Sequence, residues 1–176
     1  MLGKIRKYLD NNSTERLVHA FITSRLDCCN SLLIGLPDND LQKLQKLQNA
    51  SARLVTCTKR REHITPILEH LHWLPVSHRI KYKVLLLVFK TLNDHSPAYL
   101  DELICRYMPN RTLRSSSHNS LRFPSQRPQT QFYGHRAFAV CAPALWNALP
   151  LEIRNAATTE QFKCCLKTFL FKDYYG

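Results

Sequence analysis

Residues 77–93, SHRIKYKVLLLVFKTLN, constrain the fold most tightly, because at helical spacing their centre is apolar on nearly every side. A helix of that kind has to be covered all round, so it predicts a buried central helix with the other elements built around it. Ser77 is its expected N-cap. Its apolar run, VLLLVF at 84–89, is far shorter than the roughly 18 residues of a membrane span, so no membrane partner is expected. The one exception to its apolar surface is a stripe: Arg79, Lys83 and Lys90 fall within about 40° of one another on a helical projection.

The flanking segments read as amphipathic helices. Ser13 or Thr14 is placed to cap a helix running to about Ile34, where Gly35 and Pro37 stop it; Leu17, Val18, Phe21, Ile22, Leu26, Cys29, Leu32 and Leu33 share its apolar arc. Asp38 or Asn39 is placed to cap a second helix, LQKLQKLQNASARLV, with Leu41, Leu44, Leu47, Leu54 and Val55 on one side and Gln and Lys on the other. The short GLPDND link implies antiparallel packing of the two. The basic run TKRRE at 58–62 then forms a solvated loop in which Lys59, Arg60 and Arg61 are compact candidates for phosphate contact. Thr65 and Pro66 open a short helix ended before Pro75, and SPAYLDELICRY forms another near Pro97. PALWNALP gives a helical turn bearing Trp146. Thr158 or Thr159 caps a last helix with Phe162, Leu166, Phe169 and Leu170 inward and Lys163 and Lys167 outward. Leu17, Phe21, Leu33, Leu44, Leu54, Leu71, Trp73, Val84, Leu87 and Phe89 are the predicted core.

Composition agrees with a helical class: 44% of residues are apolar and only four are glycine, which disfavours disorder and repeat-rich β architectures. The predicted fold is therefore mainly α, a compact helical bundle with a long Arg-rich loop, room for a short β-hairpin from Leu121 to Tyr133, and a C-terminal helix. Shifts in composition place a basic N-terminal segment at 1–12, a helical bundle domain at 13–106, an Arg/Ser/Pro-rich loop at 107–135 and a C-terminal helical segment at 136–176. Charge is more telling than apolar content. The 25 Lys and Arg outnumber 13 acids, net +12, a surplus that attracts polyanions. From Leu103 to Leu151, 49 residues contain no Asp, Glu or Lys but six arginines, Arg106, Arg111, Arg114, Arg122, Arg127 and Arg136. All but the first are candidate nucleic-acid contacts, together with the Lys59 loop and the Arg79 stripe.

Catalytic and metal chemistry find little footing. His63, His70, His72 and His78 crowd one stretch beside Cys57, but C-x5-H-x6-H-x-H-x5-H matches no paired-ligand pattern, and no CxxC occurs. On a helix His70 and His72 would point about 160° apart. No metal and no cofactor are expected. GxSxG, P-loop and GxGxxG motifs are absent, and the acids are too scattered to hold the ions of two-metal phosphoryl transfer. The seven cysteines are odd in number and include two adjacent pairs, poor material for a disulfide framework; they read as reduced, buried thiols of an intracellular protein of cytoplasm or nucleus.

Several stretches, in this order, match a known pattern: LVHAFITSRLDCCNSLLIGLP, LQKLQNASARLVT, HITPILEHLHWLPVSHRIKYKVLLLVFKTLN, SPAYL, RTLRSSS, YGHRAFAVCAPALWNALP and FKCCLKTFLF. Together they resemble the C-terminal part of reverse transcriptases of non-LTR (LINE-type, jockey-like) retrotransposons, the segment that follows the catalytic palm. The likeness runs from about Ile5 to Tyr174, with Cys28 standing where an aromatic residue is expected. It implies a thumb-like helical fragment, detached from the palm and its paired aspartates, and hence not an enzyme. It also implies an RNA or a DNA/RNA duplex, bound weakly and without sequence preference, as the partner, with a reverse transcriptase palm domain as a second. The alternative from a different class is an orphan helical protein-interaction domain without a nucleic-acid role.

Overall fold

The structure, a computed structural model, describes residues 2–108, 119–124 and 134–176. It is mainly helical, with one two-stranded antiparallel sheet among the described residues. Contacts divide the chain into two compact units: Met1–Ile80 with Asp173–Gly176, and Lys81–Lys172. Composition had suggested breaks at 12, 106 and 135; a shared core, not a change in polarity, defines a unit.

The first unit contains α1 (Leu2–Ile5), α2 (Asn11–Val18), α3 (Ser24–Asp27), α4 (Asp38–Thr56), α5 (Thr65–His70) and the start of α6 (Val76–Leu92). The helix expected from Ser13 to Ile34 is instead a succession. Asp10, not Ser13 or Thr14, caps α2, its carboxylate accepting from the Ser13 N–H at 3.3 Å. A π-helical turn, His19–Thr23, follows, and Cys29, in the left-handed region at φ 50°, ends α3. The π turn shifts the angular register that the projection assumed, and Phe21 emerges 63% exposed and outside the core. The core that does form is Val18, Ala52, Val55, Leu68 and Trp73, with Ile22, Leu54, Ile64, Ile67, Leu71 and Tyr175 packed on it.

Helix boundaries here are set largely by distant side chains. Pro37, rather than Asp38 or Asn39, occupies the N-cap of α4, which leaves Asp38 and Asp40 in the first turn to face its dipole. At its other end Arg6 donates to the carbonyls of Leu54 (2.8 Å) and Val55 (3.2 Å), so part of the basic N-terminal segment is a helix C-cap. The turn from α5 to α6, residues 73–76, is wholly buried and non-helical until Val76, and its polar groups need partners. Gln48 donates to the Leu74 carbonyl at 2.8 Å, Gln45 accepts from the Val76 N–H at 2.9 Å, and the Tyr175 hydroxyl donates to the Trp73 carbonyl at 2.7 Å. Gln45 therefore does for α6 what Ser77 was expected to do. Gln48, on the side of α4 read as polar, is only 3% exposed. The neighbouring His78 is buried, its Nε2 3.2 Å from Asp173 and its ring edge-on to Tyr174.

The second unit contains the rest of α6, then α7 (Ala98–Asp101), β1 (Cys105–Arg106), β2 (Leu121–Arg122), α8 (Phe138–Asn147), α9 (Leu151–Arg154) and α10 (Thr159–Tyr175) as far as Lys172. Val84, Leu85, Val88, Phe89, Trp146, Phe162, Leu166 and Leu170 are buried, as the projections of α6 and α10 lead one to expect. Phe89 stacks on Phe162 with centroids 4.2 Å apart, and Trp146 tilts against Phe162 at 5.9 Å. Leu87 is only half-buried. The strand beginning at Leu121 pairs with β1, Cys105 opposite Arg122 and Arg106 opposite Leu121. Residues 125–133, the remainder of the expected hairpin, lie outside the described residues. Asn147 fixes β2 by donating to the Leu121 carbonyl and accepting from its N–H, both at 2.9 Å. Thr158 accepts from the Gln161 N–H at 3.2 Å, the cap expected for α10.

The seven cysteines are free, but only Cys141 is buried; Cys28, Cys29, Cys57, Cys105 and Cys164 are exposed. Two of them, Cys29 and Cys57, hold left-handed positions that end helical segments, where the chain reverses at the surface.

Replacing Gln48 by leucine, similar in size, leaves the buried Leu74 carbonyl without a donor and should lower stability by about 1–3 kcal/mol, read from the midpoint of urea unfolding. Tyr175 gives a pH signature. Burial first, then the Tyr174 and Glu69 side chains, raises its phenol well above the ordinary tyrosine value of 10.0. Above about pH 10 the unfolded chain therefore loses this proton while the folded chain keeps it, so the contribution to stability falls as pH rises. Tyr175→Phe should cost about 1 kcal/mol at neutral pH through the lost hydrogen bond, and should lose less stability than the parent between neutral pH and about pH 11.

Candidate nucleic-acid interface

On α4, Lys46, Asn49, Ala50 and Arg53 recur at intervals of three and four, so they share one face. Leu54, Thr58 and Arg60 complete with them a cleft of about 570 Å³. The loop after α4 is folded on itself: the Lys59 N–H donates to the Glu62 carboxylate at 3.0 Å, and the Glu62 N–H donates back to the Lys59 carbonyl at 3.1 Å. Glu62, the only acid within the TKRRE run, is thereby engaged with the loop backbone. Lys59, Arg60 and Arg61 project from this loop exposed. Arg53, half-buried, donates through Nη2 to the Glu62 carbonyl at 3.1 Å, and its buried Nε has no acceptor.

Among the described residues no carboxylate lies within ion-pair distance of Lys46, Arg53, Lys59, Arg60 or Arg61. Three of these cations, Lys46, Arg53 and Arg60, line the cleft, and Lys59 and Arg61 adjoin Arg60 in the loop, an arrangement that raises the local potential for a polyanion. The fold thus gathers the three loop residues picked out by charge and adds Lys46 and Arg53. Those two were passed over because each was read as one polar position of an amphipathic helix; their spacing of seven, two full turns, was the available signal.

The remaining candidates are dispersed. Arg79 does not face solvent as a stripe member should: its side chain is 19% exposed and grips Asp27 of α3 through two bonds, Nε to Oδ1 at 2.8 Å and Nη2 to Oδ2. Its role in the first unit is to tie α6 to α3. Lys83 is exposed and Lys90 half-buried, both in the second unit. Arg122 is exposed on β2, and Arg136 is half-buried in the turn Gly134–Arg136. Arg111, Arg114 and Arg127 lie outside the described residues.

The histidines suspected of metal ligation separate. His63, His70 and His72 are exposed while His78 is buried, and His72 sits at φ 55° with Nδ1 3.2 Å from the His70 carbonyl. Among the described residues no group of three or more His, Cys, Asp or Glu is placed to hold an ion. Nor is any described helix long and apolar enough to cross a membrane. Comparison with protein-family models, with curated proteins and with solved structures finds no match for this chain.

The pairing of Arg79 separates it experimentally from its stripe neighbour. Arg79→Gln should lower stability by about 1–2 kcal/mol, because it strands the Asp27 carboxylate. Lys83→Gln, at an exposed position, should stay within about 0.5 kcal/mol of the parent in the same urea titration.

Proposed function

We propose that the chain is a non-catalytic nucleic-acid-binding module that contacts the phosphate backbone of RNA or of a template–primer-like duplex without reading base sequence. The observation that supports this reading best is the cleft on α4, where Lys46, Arg53 and Arg60, with Lys59 and Arg61 beside it, present cationic donors that no carboxylate among the described residues neutralises. Phosphate contacts of this type position a polyanion and carry no sequence information of their own. The net charge of +12 adds a long-range attraction that acts before contact. The resemblance of the sequence to the thumb region of non-LTR reverse transcriptases supplies a duplex as the ancestral ligand and a palm domain as a former neighbour.

A second reading, a protein-interaction module, is favoured by a different observation. Phe21 and Leu32 in the first unit are 63% and 74% exposed, an unusual setting for large apolar side chains.

Binding through phosphate contacts releases counterions, so affinity for a labelled RNA or duplex of about 20 nucleotides should fall linearly with the logarithm of salt concentration. Replacing Lys59, Arg60 and Arg61 together by glutamine should reduce that slope by about two to three units and leave the circular dichroism spectrum unchanged. Affinity indifferent to salt would refute phosphate contact, and a triple variant that binds as the parent does would refute the loop as a contact surface. No binding to either nucleic acid at low salt would transfer the weight to the interaction reading.

A further inference from the structure

The second unit holds another cavity, smaller and of different chemistry, that diffuse backbone binding does not explain. It is a partly open pocket of about 230 Å³ lined by Asn93, Arg106, Asn119, Trp146, Arg154 and Asn155, with Phe89, Leu92 and Ala156 as its apolar members. Two guanidinium groups and three carboxamides converge on it. The guanidinium groups have neutral partners: Arg106 donates through Nη1 to Asn119 Oδ1 at 3.1 Å and through Nη2 to the Leu92 carbonyl at 2.5 Å, and Arg154 donates through Nη1 to Ser120 Oγ at 3.2 Å, while the Asn93 amide gives one of its two N–H groups to the Phe89 carbonyl at 2.7 Å. Trp146 fixes the far wall by donating from its indole to the Asn119 carbonyl at 2.8 Å. Asn119 itself sits at φ 45°, a left-handed backbone that asparagine tolerates better than most residues and that lets one residue serve both neighbours.

What these arginines lack is a counterion. The acids of the second unit are Asp94, Asp101, Glu102, Glu152 and Glu160, and none is within ion-pair distance of either guanidinium. Residues 109–118 and 125–133 contain no Asp or Glu, so they cannot supply one. Arg154 also has its Nε shut away from solvent with no acceptor, and burial lowers its affinity for its proton. A buried guanidinium N–H of this kind is costly unless an acceptor is brought to it.

We infer that this cavity is a binding site for a small tetrahedral oxyanion, a phosphate group, held by the guanidinium groups of Arg106 and Arg154 and by the amides of Asn93, Asn119 and Asn155. Guanidinium donors match phosphate oxygens two at a time, and the carboxamides add neutral donors that can complete its coordination. The size fits: at about 30 Å³ per water the space holds a hydrated anion, and it is below the ~300 Å³ at which sites for larger organic ligands begin. The phosphate can come from two sources, a free phosphate or small phosphomonoester, or the terminal phosphate of a nucleic-acid strand.

Inorganic phosphate is the probe, titrated into the full-length chain against sodium chloride of equal ionic strength. Calorimetry should give one saturable site of about 1 mM or tighter, and the indole N–H resonance of Trp146 should move while that of Trp73 stays. Arg154→Gln and Arg106→Gln should each weaken binding about tenfold or more, with Arg154→Lys recovering part of the loss. If Arg154→Gln fails to fold, Arg106→Gln decides, since its side chain is exposed. Absence of saturation in the parent, or undiminished binding in the folded variants, overturns the site. Two oligonucleotides differing only in a 5′-phosphate separate the sources. Preference for the phosphorylated strand, lost in Arg106→Gln, assigns a strand terminus; equal binding of the two, with phosphate still bound, assigns a free phosphate or monoester. The phosphate titration contains no nucleic acid, and the Lys59–Arg60–Arg61 variant should leave it unchanged, so this site and the α4 cleft stand or fall separately.

Discussion

The first unit depends on making a buried corner affordable. Residues 73–76 leave α5 and enter α6 inside the protein, where backbone groups have no water to bond and each orphan would cost about 1–3 kcal/mol. Gln45, Gln48 and Tyr175 answer the three groups, and they come from α4 and α10, some 26 to 102 residues away in the chain. Gln45 also donates to Gln48 Oε1 at 3.0 Å, so the two amides orient each other. The position of α4, the entry angle of α6 and the docking of the last residues are thus conditions on a single turn.

That dependence explains what was and was not legible in the sequence. The apolar faces of α6 and α10 follow from periodicity, because burial of Val84, Phe89, Phe162 and Leu166 is a property of local spacing; on α4 only Val55 of the expected face is fully buried, and Leu47 is 47% exposed. Gln48 could not be read in the same way. A glutamine on a helix is polar by type, and only the carbonyl of Leu74, brought up by the tertiary fold, makes it a core residue. Arg79 was misread for the mirror reason: the projection that put it beside Lys83 and Lys90 is correct, but Asp27, 52 residues earlier, takes both edges of its guanidinium. Phe21 failed because a π turn breaks the assumption of a constant 100° per residue.

The candidate site divides along similar lines. Lys59, Arg60 and Arg61 are adjacent in the chain, so their clustering needed no tertiary information, whereas Lys46 and Arg53 join them only through the winding of α4 and the return of the loop against it. Glu62 is the one acid in the run. It accepts from the Lys59 backbone N–H, which orders the loop and leaves the three side chains to solvent.

The arginine-rich stretch from Leu103 to Leu151 gains a physical meaning from the second unit. A chain segment without acids cannot form internal ion pairs, so every arginine in it must find a neutral acceptor, a distant carboxylate, water or an external anion. Arg106 takes neutral acceptors on one edge only, and in the same cavity it meets Arg154, a cation from beyond the acid-free stretch that has a single neutral partner of its own. Two like charges on one polar pocket repel, solvent at the exposed Arg106 screens them only in part, and hydrogen bonds to an amide, a hydroxyl and a carbonyl orient them without cancelling either charge. Local composition excludes the internal counterion, and the fold then supplies a preorganised place for an external one.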